Sequence, residues 1–204
     1  GGCGSRVKSA VIPKQFIEIG GVPVIVRTVR AFLSVEEIDM AYVGIKPDWH
    51  EYTDELFERF GIDKERVRVI DGGADRNGTV MNIAEAIVTE HGENEGDIIL
   101  THDAVRPFVT EKIIKDNIKA MREHSACGTY MPAADTIIRS DGEKVRETLN
   151  RSELYQAQTP QTFRLGDLRR NYYSLIEEQN KKLTDTCSVF TACNEDIYLV
   201  VGDA

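Results

Sequence analysis

The segment Thr101-His102-Asp103-Ala104-Val105-Arg106-Pro107 sets a carboxylate and a guanidinium close together, directly after the apolar run Ile98-Ile99-Leu100. Such a run reads as a buried strand, so Asp103 and Arg106 fall where the strand gives way to a loop. In open α/β sheets, ligands bind beyond the carboxyl ends of the strands. A carboxylate at that place suits a hard divalent cation, and a guanidinium suits a phosphate. The same heptad also describes an ordinary strand-to-turn corner with a surface ion pair.

Three further polar clusters bear on that choice. Gly1-Gly2-Cys3-Gly4-Ser5-Arg6 offers small residues whose backbone N–H groups could cradle phosphate oxygens, with Arg6, Lys8 and Lys14 supplying positive charge nearby. It fits neither G-x-x-x-x-G-K-[ST] nor G-x-G-x-x-G. Glycines beside several cations suit a triphosphate better than a dinucleotide pyrophosphate, because more charge must be neutralised; a solvated tail would look similar. Asp71-Gly72-Gly73-Ala74-Asp75-Arg76-Asn77-Gly78-Thr79 follows a strand-like run and precedes a helical one. Its paired glycines allow close backbone approach to a flat ligand, with Thr79 and Arg76 as side-chain contacts; they would equally close a plain βα turn. The third cluster, Gln158-Thr159-Pro160-Gln161-Thr162-Phe163 with Leu183-Thr184-Asp185, is polar and at most mildly acidic, which suits hydroxyl-bearing substrates or simple loop chemistry.

The background against which these clusters act is acidic. The chain has 204 residues, 41% hydrophobic and 29% charged, and a formal net charge of -9. That balance argues against a general nucleic-acid or anionic-membrane binder, so anionic ligands need local cation clusters. Cys3, Cys127, Cys187 and Cys193 form no C-x-x-C pair, and the histidines are scattered, which speaks against a zinc site or a disulfide framework. Reduced thiols, no membrane-length apolar run and no visible signal peptide lead us to expect a cytoplasmic protein.

Strand-like runs alternate with amphipathic patterns along most of the chain. Inner strands are expected at Ile38 to Ile45, Val67 to Ile70, Ile98 to Leu100 and Cys127 to Met131, with helices at Val24–Phe32, Asp48–Phe60, Thr79–His91 and Glu111–His124. Val80, Ile83, Ala84 and Ile87 define one apolar face of the third helix. Thr110 is the expected N-cap of the fourth, and Ile114, Ile118 and Met121 its buried stripe. This alternation predicts an α/β fold with a mostly parallel sheet. After Pro132 the pattern changes. Thr136 to Arg139, the turn Ser140-Asp141-Gly142-Glu143 and Lys144 to Thr148 read as a projecting β-hairpin, either an oligomer arm or an edge extension. Two more helices are expected at Leu165–Gln179 and Thr186–Cys193. One domain, residues 1–204, with an arm at about 134–155, accounts for the whole pattern.

Taken in order, these pieces resemble the cytidylyltransferases that make CDP-alditols. That family includes the 2-C-methyl-erythritol 4-phosphate enzyme of isoprenoid synthesis and the ribitol 5-phosphate enzyme of teichoic-acid synthesis. The matching stretches are Gly2-Cys3-Gly4-Ser5-Arg6, Pro13-Lys14-Gln15, Gly72-Gly73 through Arg76, His102 through Pro107, Gln158-Thr159-Pro160-Gln161 and Thr184-Asp185. Arg76-Asn77 with Thr79-Val80-Met81-Asn82, the Thr101–Pro107 heptad and Tyr155-Gln156-Ala157-Gln158 look closer to the ribitol 5-phosphate enzymes. Two features of the family are not found: a strand before Gly1, and an Asn-Ile-Lys-Val-Thr segment expected after Ala204. Ala74 stands where the erythritol enzymes often carry an acid.

The resemblance implies a Rossmann-like nucleotidyltransferase domain, a homodimer built through the arm, CTP and an alditol phosphate as substrates, and Mg²⁺ or another divalent cation. Gly1, Gly2, Gly4 and Ser5 would hold the triphosphate, and Arg6 and Lys14 would meet the charge of the departing pyrophosphate. Gly73, Ala74 and Thr79 would read the cytosine, Ala104 would line the ribose, and Asp103 would hold the cation. Arg106, Thr136, Arg151 and Thr184 would bind the alditol phosphate, with Arg151 reaching into the neighbouring subunit. His102, with no proton to move, is expected to pack rather than to act as an acid or base. A sugar 1-phosphate nucleotidyltransferase and a nucleotide-binding scaffold without turnover are the competing readings.

Overall fold

In the computed structural model, residues 12–175 and 183–203 are described. The chain enters through a single 3-10 turn, Lys14–Phe16, and a two-residue hairpin, β1 (Glu18–Ile19) and β2 (Val22–Pro23), before helix α1 (Val24–Leu33). Helix α1 turns Val24, Ile25, Val26, Val29 and Phe32 inward, the face expected from a 3.6-residue period.

Strands β3 (Ala41–Ile45) and β4 (Val67–Asp71) pair in parallel, Ala41 opposite Val67 and Ile45 opposite Asp71, with helix α2 (His50–Arg59) between them in sequence. Helix α3 (Arg76–His91) follows β4, then come β5 (Ile98–Thr101), α4 (Glu111–Ala120) and β6 (Ala126–Pro132). This is the alternation that the sequence pattern predicts. The Thr110 cap is present, its hydroxyl accepting the Ile113 N–H at 3.4 Å. Helix α4 stops at Ala120 rather than His124, because Met121, Arg122 and Glu123 bond back at i−3 spacing and tighten into turns. Helix α3 starts at Arg76 rather than Thr79. Asp75 caps it by accepting the Gly78 N–H at 2.7 Å, which carries Gly78 inside the first turn despite its low propensity.

The largest departure from expectation is strand β9 (Tyr155–Arg164), which lies between β5 and β6 and runs antiparallel to both. Among the described residues, the sheet order is β10 (Tyr198–Val201), β6, β9, β5, with β10 parallel to β6. This four-stranded sheet is therefore mixed, while β3 and β4 pair separately among the described residues, and the Gln158–Phe163 cluster belongs to a strand rather than a loop. Pro160 hides this in the sequence, since proline is excluded from regular ladders and tolerated at bulges. The pairing accommodates it: Gly128 faces Gln161 but Tyr130 faces Ala157, so β9 carries extra residues opposite Thr129. The arm forms as expected from β7 (Ile138–Ser140) and β8 (Val145–Thr148), paired antiparallel.

Beneath the bulge lies a buried polar knot. Asn117 of α4 is fully buried and donates to Thr129 Oγ1 at 3.0 Å, while its Oδ1 accepts from Thr162 Oγ1 at 3.1 Å; Thr129 donates in turn to the Pro160 carbonyl at 2.8 Å. A helix, two strands and the bulge thus share one asparagine. Asn117→Leu removes the acceptor of the Thr162 hydroxyl and leaves Thr129 with the Pro160 carbonyl alone, and it is expected to destabilise the fold by about 2–4 kcal/mol in equilibrium denaturation. A loss below about 1 kcal/mol would show that the knot does not hold the bulge in place.

Candidate active site

Among the described residues, the Asp103 loop, the Gly73 turn and the Gln161 and Asp185 stretches, separated in sequence, meet at the carboxyl ends of β4 and β5. Asp103 sits in the loop after β5 and accepts from two guanidiniums: Arg106 Nε at 3.0 Å from Oδ2, and Arg76 Nε at 3.4 Å from Oδ1. Burial alone would raise the Asp103 pKa, but the adjacent Arg76 and Arg106 charges outweigh it and hold the carboxyl below its ordinary value. It is therefore an anion at neutral pH, available to a cation through the lone pairs that the arginines leave open.

The loop that carries Asp103 is pinned at several points. The Asp103 N–H points to Thr159 Oγ1 at 3.5 Å, the Arg106 N–H bonds the Asp103 carbonyl at 3.0 Å, and Thr28 of α1 donates to the Ala104 carbonyl at 2.9 Å. His102 packs its ring 5.0 Å from Phe32, and its Nε2 lies 3.0 Å from the Arg106 carbonyl. Burial pushes the His102 pKa down, against the pull of that carbonyl, so the ring is neutral and Nε2–H donates. The packing role expected for His102 is what its surroundings provide.

Across from this loop, the Gly72-Gly73 turn leads from β4 into α3. Gly73 donates its N–H to Thr79 Oγ1 at 2.9 Å, and Thr79 passes its own proton to the Asp75 carbonyl at 2.8 Å. A Cβ at Gly73 would stand 2.3 Å from the Gly78 carbonyl carbon and 2.5 Å from the Thr79 nitrogen, so only glycine fits so close an approach. Thr79 is buried and its hydroxyl closes the turn, while Ala74 at the tip is exposed. Any contact of this loop with a base therefore falls mainly to backbone groups and Ala74.

A third wall comes from the segment before the Cys187–Ala192 helix. Arg76 Nη1 donates to Thr186 Oγ1 at 2.5 Å, and Thr186 donates to Asn77 Oδ1 at 3.2 Å. Gln161 of β9 accepts the Thr186 N–H at 3.2 Å and donates to Asp185 Oδ2 at 2.6 Å. Exposed Thr184 stands at the end of this braced segment. Gln158 faces away from it, donating to the Asp203 carbonyl at 3.1 Å. The expected glutamines thus act as braces. Asn77, Asp185 and Thr186 had no signal as bracing residues, because nothing local marks a polar side chain whose partner lies far along the chain.

Lys14 lies on the 3-10 turn held by Phe16, whose ring packs 5.1 Å from Trp49 and 5.0 Å from Tyr52. Phe16 and Ala104 share one apolar core, so the lysine turn and the Asp103 loop rest on the same support. Thr136 and Arg151 are elsewhere, at the root of the arm. There Arg151 Nη1 donates to the Ala134 carbonyl at 3.0 Å beside an open cavity of about 640 Å³ lined by Pro132, Ala133, Ala134, Asn150, Arg151 and Ser152. Gly1, Gly2, Gly4, Ser5 and Arg6 lie outside the described residues.

The donor set limits which cation could be held. Among the described residues, no three His, Cys, Asp or Glu side chains come together as a metal cage. A lone carboxylate fits a cation such as Mg²⁺ that takes its other oxygens from phosphates and water. No helix in the described residues is long and apolar enough to cross a membrane.

The chain is similar in sequence and fold to known proteins. The family model described as 2-C-methyl-D-erythritol 4-phosphate cytidylyltransferase matches residues 1–204. A solved 4-diphosphocytidyl-2C-methyl-D-erythritol synthase is 30% identical, with 94% of this chain and 85% of that one covered and a TM-score of 0.80. The synthase from Anaerococcus prevotii is 28% identical over 92% of this chain and 80% of its own, with a TM-score of 0.79. The 2-C-methyl-D-erythritol 4-phosphate cytidylyltransferase of Francisella tularensis is 26% identical over 93% and 84%, with a TM-score of 0.79.

Proposed function

Given that the chain belongs to the 2-C-methyl-D-erythritol 4-phosphate cytidylyltransferase family, we propose that it transfers the cytidylyl group of CTP to 2-C-methyl-D-erythritol 4-phosphate and releases pyrophosphate. The observation that carries this reading is the convergence of Asp103, Arg106 and Arg76 with the Gly73 turn and the Thr184–Thr186 segment at one strand end. The erythritol acceptor follows the family description and the named solved structures.

The chemistry asks little of acids and bases. The attacking group is a phosphate oxygen with a second pKa of about 6, largely dianionic at neutral pH. The task is to bring two anions together in line and to stabilise charge as pyrophosphate leaves. Arg6 and Lys14 take the triphosphate and the departing pyrophosphate, with Gly1, Gly2, Gly4 and Ser5 giving backbone donors. Gly73 and Ala74 approach the cytosine, Thr79 fixes their turn, and Ala104 lines the ribose. Arg106 and Thr184 meet the acceptor. Thr136 and Arg151, at the root of the arm, serve the acceptor of a second subunit in a homodimer, which explains why they stand apart within one chain. Asp103 would hold Mg²⁺, which when bound neutralises the phosphate oxygens.

A second reading takes ribitol 5-phosphate as the acceptor, favoured by Arg76-Asn77, the Thr101–Pro107 heptad and Tyr155-Gln156-Ala157-Gln158. Pyrophosphate release from CTP, measured with each alditol phosphate in parallel, separates the two. We expect kcat/KM for the erythritol substrate to exceed that for ribitol 5-phosphate by at least about tenfold. The reverse ratio assigns the ribitol reaction, and release with neither substrate refutes both.

A further inference from the structure

Thr186 is almost fully buried, at 1% exposure, so it cannot touch a substrate, yet it ties together every wall of the site. Its hydroxyl receives Arg76 Nη1 and donates to Asn77 Oδ1, and its N–H is fixed by Gln161. The Arg76 guanidinium that it holds lies with Nε against Asp103. Asn77 also donates to the Asp185 carbonyl at 3.3 Å. One hydroxyl therefore connects the start of α3, which the Gly73 turn leads into, to the Asp103 loop and to the segment that ends in Thr184.

From this we infer that Thr186 is a positioning residue that locks Arg76 onto Asp103 and fixes the Thr184 segment relative to the Gly73 turn. The inference rests on the nucleotide and acceptor subsites proposed above. A fork-shaped guanidinium with one nitrogen on a carboxylate and another on a buried hydroxyl has lost its rotational freedom. Its position is then set by the fold and not by the bound substrate. Reactions that depend on in-line approach lose rate steeply when two walls shift by a fraction of an ångström. Loss of the lock should therefore lower kcat more than it weakens binding of CTP.

Two substitutions test the idea. Thr186→Val keeps the shape and removes the hydroxyl, and Thr186→Ser keeps the hydroxyl. We expect Val to lower kcat by about tenfold or more with KM for CTP changed less than about threefold, and Ser to restore most of the rate. Arg76→Lys, a change at a more exposed side chain, should cause a similar loss. The double variant Arg76→Lys/Thr186→Val should lose little beyond either single one, as expected for two parts of one contact. Additive losses, equal losses for Val and Ser, or a wild-type rate in Val would overturn the lock.

Amide hydrogen exchange supplies a readout that needs no turnover. In Thr186→Val, exchange should rise both in residues 183–188 and in residues 75–79, because each side is released from the other. Unchanged protection in residues 75–79 would sink the coupling by itself. Should the wild-type protein release no pyrophosphate with either alditol phosphate, the proposed function fails, while the exchange result still decides the lock.

Discussion

Replacing Asp103 with asparagine is expected to lower kcat by about two to three orders of magnitude while leaving CTP binding nearly intact. Asparagine preserves the shape, but its single carbonyl oxygen can accept from only one of Arg76 and Arg106; the loop backbone stays pinned by the Arg106 N–H on the Asp103 carbonyl and by Thr28 on the Ala104 carbonyl. What disappears is the negative charge that would hold a divalent cation. The two guanidiniums, less fully neutralised, keep the site attractive to an anionic ligand. Affinity and rate should therefore part company, and the divalent-cation concentration giving half-maximal rate should rise. Steady-state kinetics over a cation titration checks both statements. A higher KM for CTP with kcat preserved would place Asp103 in nucleotide recognition and remove it from cation binding.

Lys14→Ala is the second large effect, a fall in turnover of at least about tenfold. The lysine occupies a turn whose place is fixed by Phe16 in an aromatic cluster with Trp49 and Tyr52, and by the Ile17 N–H on the Lys14 carbonyl at 3.1 Å. None of these contacts uses the ammonium group, so thermal stability should stay within a degree or two, on the order of a surface substitution. A point charge on a flexible stem is also not replaced by a planar fork, and Lys14→Arg should recover only part of the rate. An unchanged rate in the alanine variant would take Lys14 out of the mechanism.

The Asp103–Arg106 pair was legible because the two residues are three apart on one turn after an apolar run, a local feature that spacing reports. The same holds for the Thr110 cap, the hairpin arm and the glycine turn before α3. Thr79 was expected from sequence to contact a ligand, but its hydroxyl bonds within the Gly73 turn, a partner that only backbone geometry selects. The family order of the motifs pointed to a cytidylyltransferase from sequence. Its leaning towards ribitol 5-phosphate met a family model and solved structures named for the erythritol enzyme.

The alternation of apolar strands with amphipathic helices, the Thr110 cap and the order of the polar clusters come from the sequence alone, because periods of two and 3.6 residues and capping chemistry act over a few neighbours. Tertiary structure decided that Gln158–Phe163 is an antiparallel strand with a bulge, that Asn117 knots α4 to β6 and β9, and that Arg76 bridges Asp103 and Thr186. Those partners lie 27 and 110 residues from Arg76 along the chain. Which buried polar group meets which is fixed only by strand order and register, once the core has closed and every hydrogen-bonding group removed from water needs a partner.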